Sequence, residues 1–327
     1  MQIVLVAPQL LSLPAALLRG SASLARLCAW SDHSRCPASR EEALLAELGM
    51  GDVGAGSLLA RVQALPAEPG HWLVADPVTL VPGRDDVCVV ARVEDLDAAF
   101  VVRAMAVLNA HFRVDGLQFN APRPQRWLAR VESPAQAAMV ATEAALGGSA
   151  YVHRPQGSDA RRFERYANEI QMLLHDAPEN DMRERAGRAP FNGLWLWGSA
   201  AATPAATTVV PPVRIDAYGP NNDGGDLARG AALYTGGHAK ALGAHLDMAD
   251  HGAPRAVFTL PAATPATFAM YDMAWFAPAL SALARGTISH LTLIADGAGT
   301  HRWSAAAPAF LARLRTSFRS RPFGVPE

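Results

Sequence analysis

The chain has 327 residues, half of them apolar and 18 % charged, with a formal net charge of −1. That length can bury a full core, as one large domain or two. The near-neutral charge gives no bulk attraction to nucleic acid or to an anionic membrane, so neither is expected as a partner.

Residues 2–6 read as a buried first strand. No basic residue precedes this apolar run, and Pro8 and Pro14 interrupt the apolar stretch beyond it, which argues against a signal peptide. No apolar run reaches membrane-spanning length, and a cytoplasmic location is the expectation. A Leu-rich helix is predicted near 15–29. Ser39 with Glu42 three residues later is a capping-box signal for a helix over 40–49, and another helix is expected over 56–64. Trp72 to Ala75 reads as a strand ending at Asp76-Pro77, where an Asp is either a site residue at a strand end or the start of a turn. Strands are expected at 87–91, 117–119 and 126–131, and helices at 94–109 and 135–146. Arg123, Arg126 and Arg130 form a local basic set, either a phosphate contact or a solvated surface. The three cysteines, Cys28, Cys36 and Cys88, lack CxxC spacing, which argues against a disulfide framework and a structural zinc site.

The most regular stretch runs from Phe163 to Gly198. Phe163, Tyr166, Ile170, Leu173 and Leu174 make one apolar helical stripe, and Glu164, Asn168, Gln171 and His175 make a second, polar one. The polar stripe is either a solvated face or one that points amides and an imidazole into a cleft. Pro178 is expected to end the helix nearby. The strand Leu194-Trp195-Leu196-Trp197 puts both indoles on one face, as packing or as a stacking wall for a planar ligand. The Ala-, Thr- and Pro-rich residues 199–212 read as a linker or loop between a main domain over 1–198 and a C-terminal lobe over 213–327. Further on, helices are predicted over 228–246, broken around Gly236-Gly237, and over 271–284, with a strand over 256–260, a hairpin around Asp296-Gly297, and a basic helix over 308–318.

Templates for catalysis mostly fail. Gly49 to Gly54 matches GxGxxG but follows a helix, so it reads as a loop. Walker A, GxSxG and HExxH are absent. His238, His245 and His251, with Asp247 and Asp250, are either a metal cluster or, since their spacing does not put three ligands on one face, loop and helix-surface groups.

Four strings carry a resemblance: Ala75-Asp76-Pro77-Val78, Leu108 to Phe112 (LNAHF), Asn168 to His175 (NEIQMLLH) and Leu194 to Gly198 (LWLWG). With them the chain resembles a bacterial family labelled cofactor-independent phosphoglycerate mutase-like, which includes RpfE-type regulatory proteins. The resemblance implies an alkaline-phosphatase-like ancestry. It also implies two divalent metals held by Asp and His, with a nucleophilic Ser or Thr. Leu291 to Gly299 resembles the DGxG metal motif of such enzymes, and Asp250-His251-Gly252 resembles their DHG motif, but the order is reversed and Met1 to Pro8 holds no Asp. Thr79 stands where the resemblance leads one to expect His.

The resulting expectation is an α/β protein with a mostly parallel central sheet flanked by helices, a degenerate relative of the alkaline-phosphatase fold. Strands near 2–6, 72–75, 87–91 and 193–197 would form that sheet. The expected function is binding, or regulation through binding, of a small molecule bearing phosphate or carboxylate. Asp76, Asn168, Gln171, Arg183 and Asn192 would bind it, Trp195 or Trp197 would form a wall, and His175 would be the acid or base of any catalysis. No cofactor or metal is expected on this reading. The alternatives are a metal-dependent phosphomutase or phosphatase, which would need a divalent ion, and a protein interaction module.

Overall fold

A computed structural model describes residues 1–66, 71–83, 86–200, 213–220, 223–246, 252–297 and 299–307. In chain order it contains β1 Gln2–Ala7, α1 Ala15–Arg19, α2 Ala22–Trp30, β2 Asp32–Cys36, α3 Arg40–Leu48 and α4 Ala55–Val62. Next come β3 Trp72–Pro82, β4 Val87–Arg92, α5 Ala98–His111, β5 Leu117–Arg123, β6 Arg126–Val131 and α6 Thr142–Ala145. Then come α7 Ala160–His175, α8 Pro178–Arg185, β7 Gly193–Trp197, β8 Ile215–Gly219, α9 Asp223–Tyr234 and β9 Ala239–Ala241. The described chain closes with β10 Arg255–Thr259, α10 Pro265–Tyr271, α11 Ala277–Arg285, β11 His290–Gly297 and β12 Gly299–Ala306.

The chain divides into two compact units, Met1–Leu44 with Val210–Glu327, and Leu45–Val209. The first segment therefore groups with the C-terminal part of the chain and not with residues 45–198. The physical reason is strand pairing: β1 lies between β10 and β11 and is parallel to both. Most of the expected linker, residues 201–212, lies outside the described residues, as do the expected helix over 308–318 and Asp250-His251.

The first unit is built on a sheet ordered β2-β12-β11-β1-β10-β8-β9. Its pairs are parallel from β11 through β9, and β12 and β2 add antiparallel strands at one side. This is the mostly parallel sheet of an α/β protein. Ile3 to Ala7 are all buried, the near-continuous apolar run of a strand covered on both faces. Asp296-Gly297 does lie at the turn of a β11–β12 hairpin. Ser39 and Glu42 form the expected reciprocal capping box at the start of α3. A π-helical turn at Asp272–Phe276 links α10 to α11. Ala274 there accepts a backbone hydrogen bond from Leu246.

On β2 and β12, the His33 and His301 rings stack 5.2 Å apart, and His33 Nε2 lies 2.9 Å from His301 Nδ1. Burial, then the neighbouring His33 and Arg35, hold the His301 imidazole below its ordinary value of 6.5. The unfolded chain thus takes up this proton more readily than the folded one. The associated stability is fully present above about pH 6.5 and is lost as pH falls through the lowered value. Thermal midpoints measured at pH 7.5 and 5.5 should therefore fall less on acidification in His301→Gln than in the unmodified protein. An equal fall would show that His301 carries no such linkage.

The second unit corrects the expected topology. Strands β3, β4, β5, β6 and β7 form a separate antiparallel sheet, ordered β4-β3-β6-β5 with β7 also on β3. Three of the four strands expected in the parallel sheet are here. The short links between β3 and β4 and between β5 and β6 permit only hairpin pairing, since a parallel crossover needs a dozen or more residues. β3 does not end at Asp76-Pro77 but continues to Pro82. One face of this sheet packs on α5 and α7 through Leu73, Ala75, Trp127, Leu194 and Leu196. Trp127 and Phe191 meet edge to face at 5.1 Å within that core. On α4, a Cβ at Gly56 would lie 2.2 Å from the Trp72 carbonyl oxygen, so only glycine lets this helix approach β3 so closely.

Two expected helices are shorter. Only Thr142–Ala145 of residues 135–146 is helical, and α9 stops at Tyr234, just ahead of the expected break at Gly236-Gly237, beyond which residues 239–241 form β9 instead of more helix. Gly236, in a left-handed conformation, follows the end of α9.

Candidate functional site

The four strings that carry the resemblance assemble within the second unit. In the β3–β7 ladder, Asp76 pairs with Trp195 and Val78 with Gly193. His111 at the end of α5 meets Glu169 of α7 at 2.8 Å. Asn109 exchanges two hydrogen bonds with the Phe119 backbone, at 2.7 and 3.0 Å. Thr79 is buried and donates to the Pro190 carbonyl at 2.7 Å. Much of this motif content therefore holds the sheet and its helices together.

Asp76 is fully buried in mid-strand. Its Oδ2 accepts from Thr142 Oγ1 at 2.6 Å and from Trp197 Nε1 at 2.8 Å. Its Oδ1 faces Arg126 Nε at 3.4 Å and Arg92 Nη2 at 3.6 Å. Glu143, in turn, approaches Arg92 at 3.3 Å and Arg126 at 4.0 Å. The result is a buried ion cluster with a tryptophan and a threonine as neutral donors. Sequence reading identified Asp76, Arg126 and Trp197 separately but missed Arg92, Thr142 and Glu143, which no local pattern joins.

Arg183 and Asn192 also have structural partners. Arg183 donates to the Ala189 carbonyl at 2.8 Å and to both the backbone and the carboxylate of Asp95. The Arg183 guanidinium holds the Asp95 carboxyl below the usual range. Asn192 bonds the Leu80 backbone in both directions, 2.7 Å to its N–H and 2.8 Å to its carbonyl, imitating a ladder residue. Asn180 does the same for Phe191 and adds a bond to Leu174.

The polar stripe of α7 splits in two. Its first part, Glu164, Asn168 and Gln171, lines a cleft of ≈ 420 Å³ together with Trp195, Phe163, Leu194 and the segment Ala150 to Pro155. Trp195 is half-buried and its indole N–H is satisfied by the Val140 carbonyl at 2.9 Å, so it offers its ring as a wall. The wall opposite α7 is held at both ends. Residues 147–150 bond along the edge of β4, with Ala150 N–H donating to Val87 at 2.7 Å, and Ala138 and Gln156 exchange backbone bonds at 2.8 and 3.0 Å. His175 lies seven residues beyond Asn168, roughly 10 Å further along the helix axis. It lines a different, polar depression of ≈ 390 Å³ with Asp176, Asn180, Asp181, Glu184 and Asn192.

The structure therefore brings Asn168, Gln171 and Trp195 together, and places Asp76 and Trp197, Arg183, and His175 with Asn192 in three other settings. The cleft's other polar groups, His153, Arg154, Asp86 and Glu164, carry no linear motif. Only the helical spacing of Glu164 with Asn168 and Gln171 signalled any of them in the sequence. In the first unit a second cleft of ≈ 450 Å³ opens at the end of β8, lined by Gly219, Pro220, Arg229, Lys240 and Pro261 among others.

The metal chemistry that the resemblance implies does not find its ligands among the described residues, where no three His, Cys, Asp or Glu side chains cluster to hold an ion. Asp296, the described Asp of the DGxG-like string, instead accepts from the Gln9 N–H and from Arg40. Burial pushes the Cys28 thiol up to about 11, away from thiolate chemistry. Among the described residues no helix is long and apolar enough to cross a membrane.

The fold is thus that of an α/β protein with a mostly parallel mixed sheet and a second antiparallel one. No family model matches the chain. Over 56 residues it is 36 % identical to the "Probable 2,3-bisphosphoglycerate-independent phosphoglycerate mutase" of Geobacter sulfurreducens; the match spans 17 % of this chain and 14 % of that protein. Two solved structures are similar at low identity. The cofactor-independent phosphoglycerate mutase from Thermoplasma acidophilum has a TM-score of 0.45 and 14 % identity, over 97 % of this chain and 95 % of that one. The PH0037 protein from Pyrococcus horikoshii has a TM-score of 0.46 and 13 % identity, over 93 % and 87 %.

Proposed function

We propose that this protein binds a small organic molecule in the cleft between α7 and residues 150–155, as a binding or regulatory protein. The ligand has an apolar body and a carboxylate or phosphate group. The observation that supports this reading is the meeting of Asn168, Gln171 and the Trp195 ring in one cleft with an apolar bed. Ligand sites are commonly apolar concavities of this size with a few convergent polar groups. Arg154, whose guanidinium lies 4.4 Å from the Tyr151 ring centroid, supplies the cation for the anionic group.

Calorimetric titration with a panel of carboxylated and phosphorylated metabolites tests it. Asn168→Ala combined with Gln171→Ala should weaken the binding of a hit by roughly tenfold or more, about 1–3 kcal/mol for hydrogen bonds to a charged group. Folding stability should change by less than about 0.5 kcal/mol, since both side chains lie on an accessible face. His175→Ala should alter neither. Binding that is indifferent to the double substitution would sink the assignment of this cleft.

The 56-residue similarity favours a second reading, a metal-dependent phosphomutase or phosphatase. A thermal shift that saturates with Mn²⁺ or Mg²⁺ would support it, and a flat titration would count against it.

A further inference from the structure

We propose that the molecule taken by this cleft is a zwitterion of the amino-acid class with an aromatic or large apolar side chain. This inference rests on the cleft being the binding site, and it names the ligand chemistry within it.

The cleft carries both signs of charge. Glu164 on α7 and Asp86 ahead of β4 contribute carboxylates, while Arg154 and His153 contribute cationic or donor groups from the facing segment. Opposite charges lining one cleft usually pair with each other. Here they do not: among the described residues no ion pair joins Arg154 or His153 to Glu164 or Asp86. Asp86 accepts a hydrogen bond from the Ser149 hydroxyl. The Glu164 carboxylate, half-buried, makes no hydrogen bond or ion pair with any described residue. Among the described residues the Arg154 guanidinium makes only its stacking contact with Tyr151.

A bare phosphate or carboxylate would satisfy Arg154 but would put its charge into a cleft that two carboxylates also line, which disfavours it. An amine alone would leave Arg154 unmatched. A molecule that carries an ammonium and a carboxylate on one carbon can satisfy both sides, with the ammonium toward Glu164 and the carboxylate toward Arg154. The remaining lining, Phe163, Met139, Leu194 and Leu196 with the Trp195 ring, then receives an apolar side chain. A space of ≈ 420 Å³ holds an aromatic amino acid with room for more. Asn168 and Gln171 add amide donors and acceptors along the α7 side.

The test is calorimetric titration of the full chain with L-phenylalanine, L-tryptophan and L-leucine. Phenethylamine, 3-phenylpropionate and phenyl phosphate are run beside them as half-molecules and anion controls. The expected result is that L-phenylalanine or L-tryptophan binds at least tenfold more tightly than any control. Glu164→Gln should weaken that binding at least tenfold while making the binding of 3-phenylpropionate no weaker, and Arg154→Ala should weaken both. Retained thermal midpoints of the variants would show that the fold is intact. If 3-phenylpropionate or phenyl phosphate binds more tightly than the amino acids, and Glu164→Gln does not weaken it, the zwitterion is overturned while the cleft stands. If no probe binds, the inference is overturned. If a probe binds and neither Arg154→Ala nor the Asn168 and Gln171 substitutions affect it, the cleft itself is the wrong place.

Discussion

Asp76→Ala is expected to destabilise the protein by about 3–5 kcal/mol, the usual cost of removing one partner of a buried ion pair. The substitution leaves the buried Arg126 and the largely buried Arg92 without the carboxylate they flank, and it strips the Trp197 indole and the Thr142 hydroxyl of their acceptor. A lowering of the thermal midpoint by about 10 °C should accompany it. Asp76→Asn keeps an acceptor for Trp197 and Thr142 but not the charge, so its loss should be smaller. Urea denaturation of both variants measures the difference. A loss under about 1 kcal/mol for Asp76→Ala would mean that the cluster does not hold the unit together, and would return Asp76 to consideration as a site residue.

Asn180→Ala is the second large effect, about 3 kcal/mol. The buried amide satisfies the Phe191 N–H at 2.8 Å and the carbonyls of Leu174 and Phe191 at 2.9 Å each. Each buried backbone group left unpaired costs about 1–3 kcal/mol, partly relieved by local adjustment. Asn180→Asp, nearly the same in shape, replaces the two donors by an oxygen aimed at two carbonyls and should be no better tolerated. If the aspartate variant were as stable as the unmodified chain, the bonds to Leu174 and Phe191 would not be what fixes α8 to the end of α7 and to the segment ahead of β7.

These two residues show where sequence reading reaches its limit. Asp76 reads as a polar side chain at an expected strand end, and a polar side chain beside an apolar strand suggests a site. Burial reverses that suggestion, and burial is not local information. Asp76 meets Trp197 across 121 positions and Thr142 across 66. The polar stripe of α7 was legible because helical spacing is a short-range property. That one part of it lines a cleft, while His175 lies in another depression, depends on what the 150–155 segment and α8 bring alongside.

Local chemistry sufficed for the elements whose signals lie within one turn or one strand. The apolar run of β1, the capping box before α3, the four-residue spacing of α7, the Pro178 break and the Asp296-Gly297 hairpin all arise from side-chain periodicity and backbone preference. The presence of a mostly parallel α/β sheet was legible in the same way. The partners of each strand were not. Residues 72–75 and 193–197 read as parallel-sheet strands because they alternate with helices, yet they lie in an antiparallel sheet of their own, and residues 2–7 join strands more than 240 positions away. A strand's sequence specifies which faces are apolar; which edge it meets is decided by the packing of the whole chain.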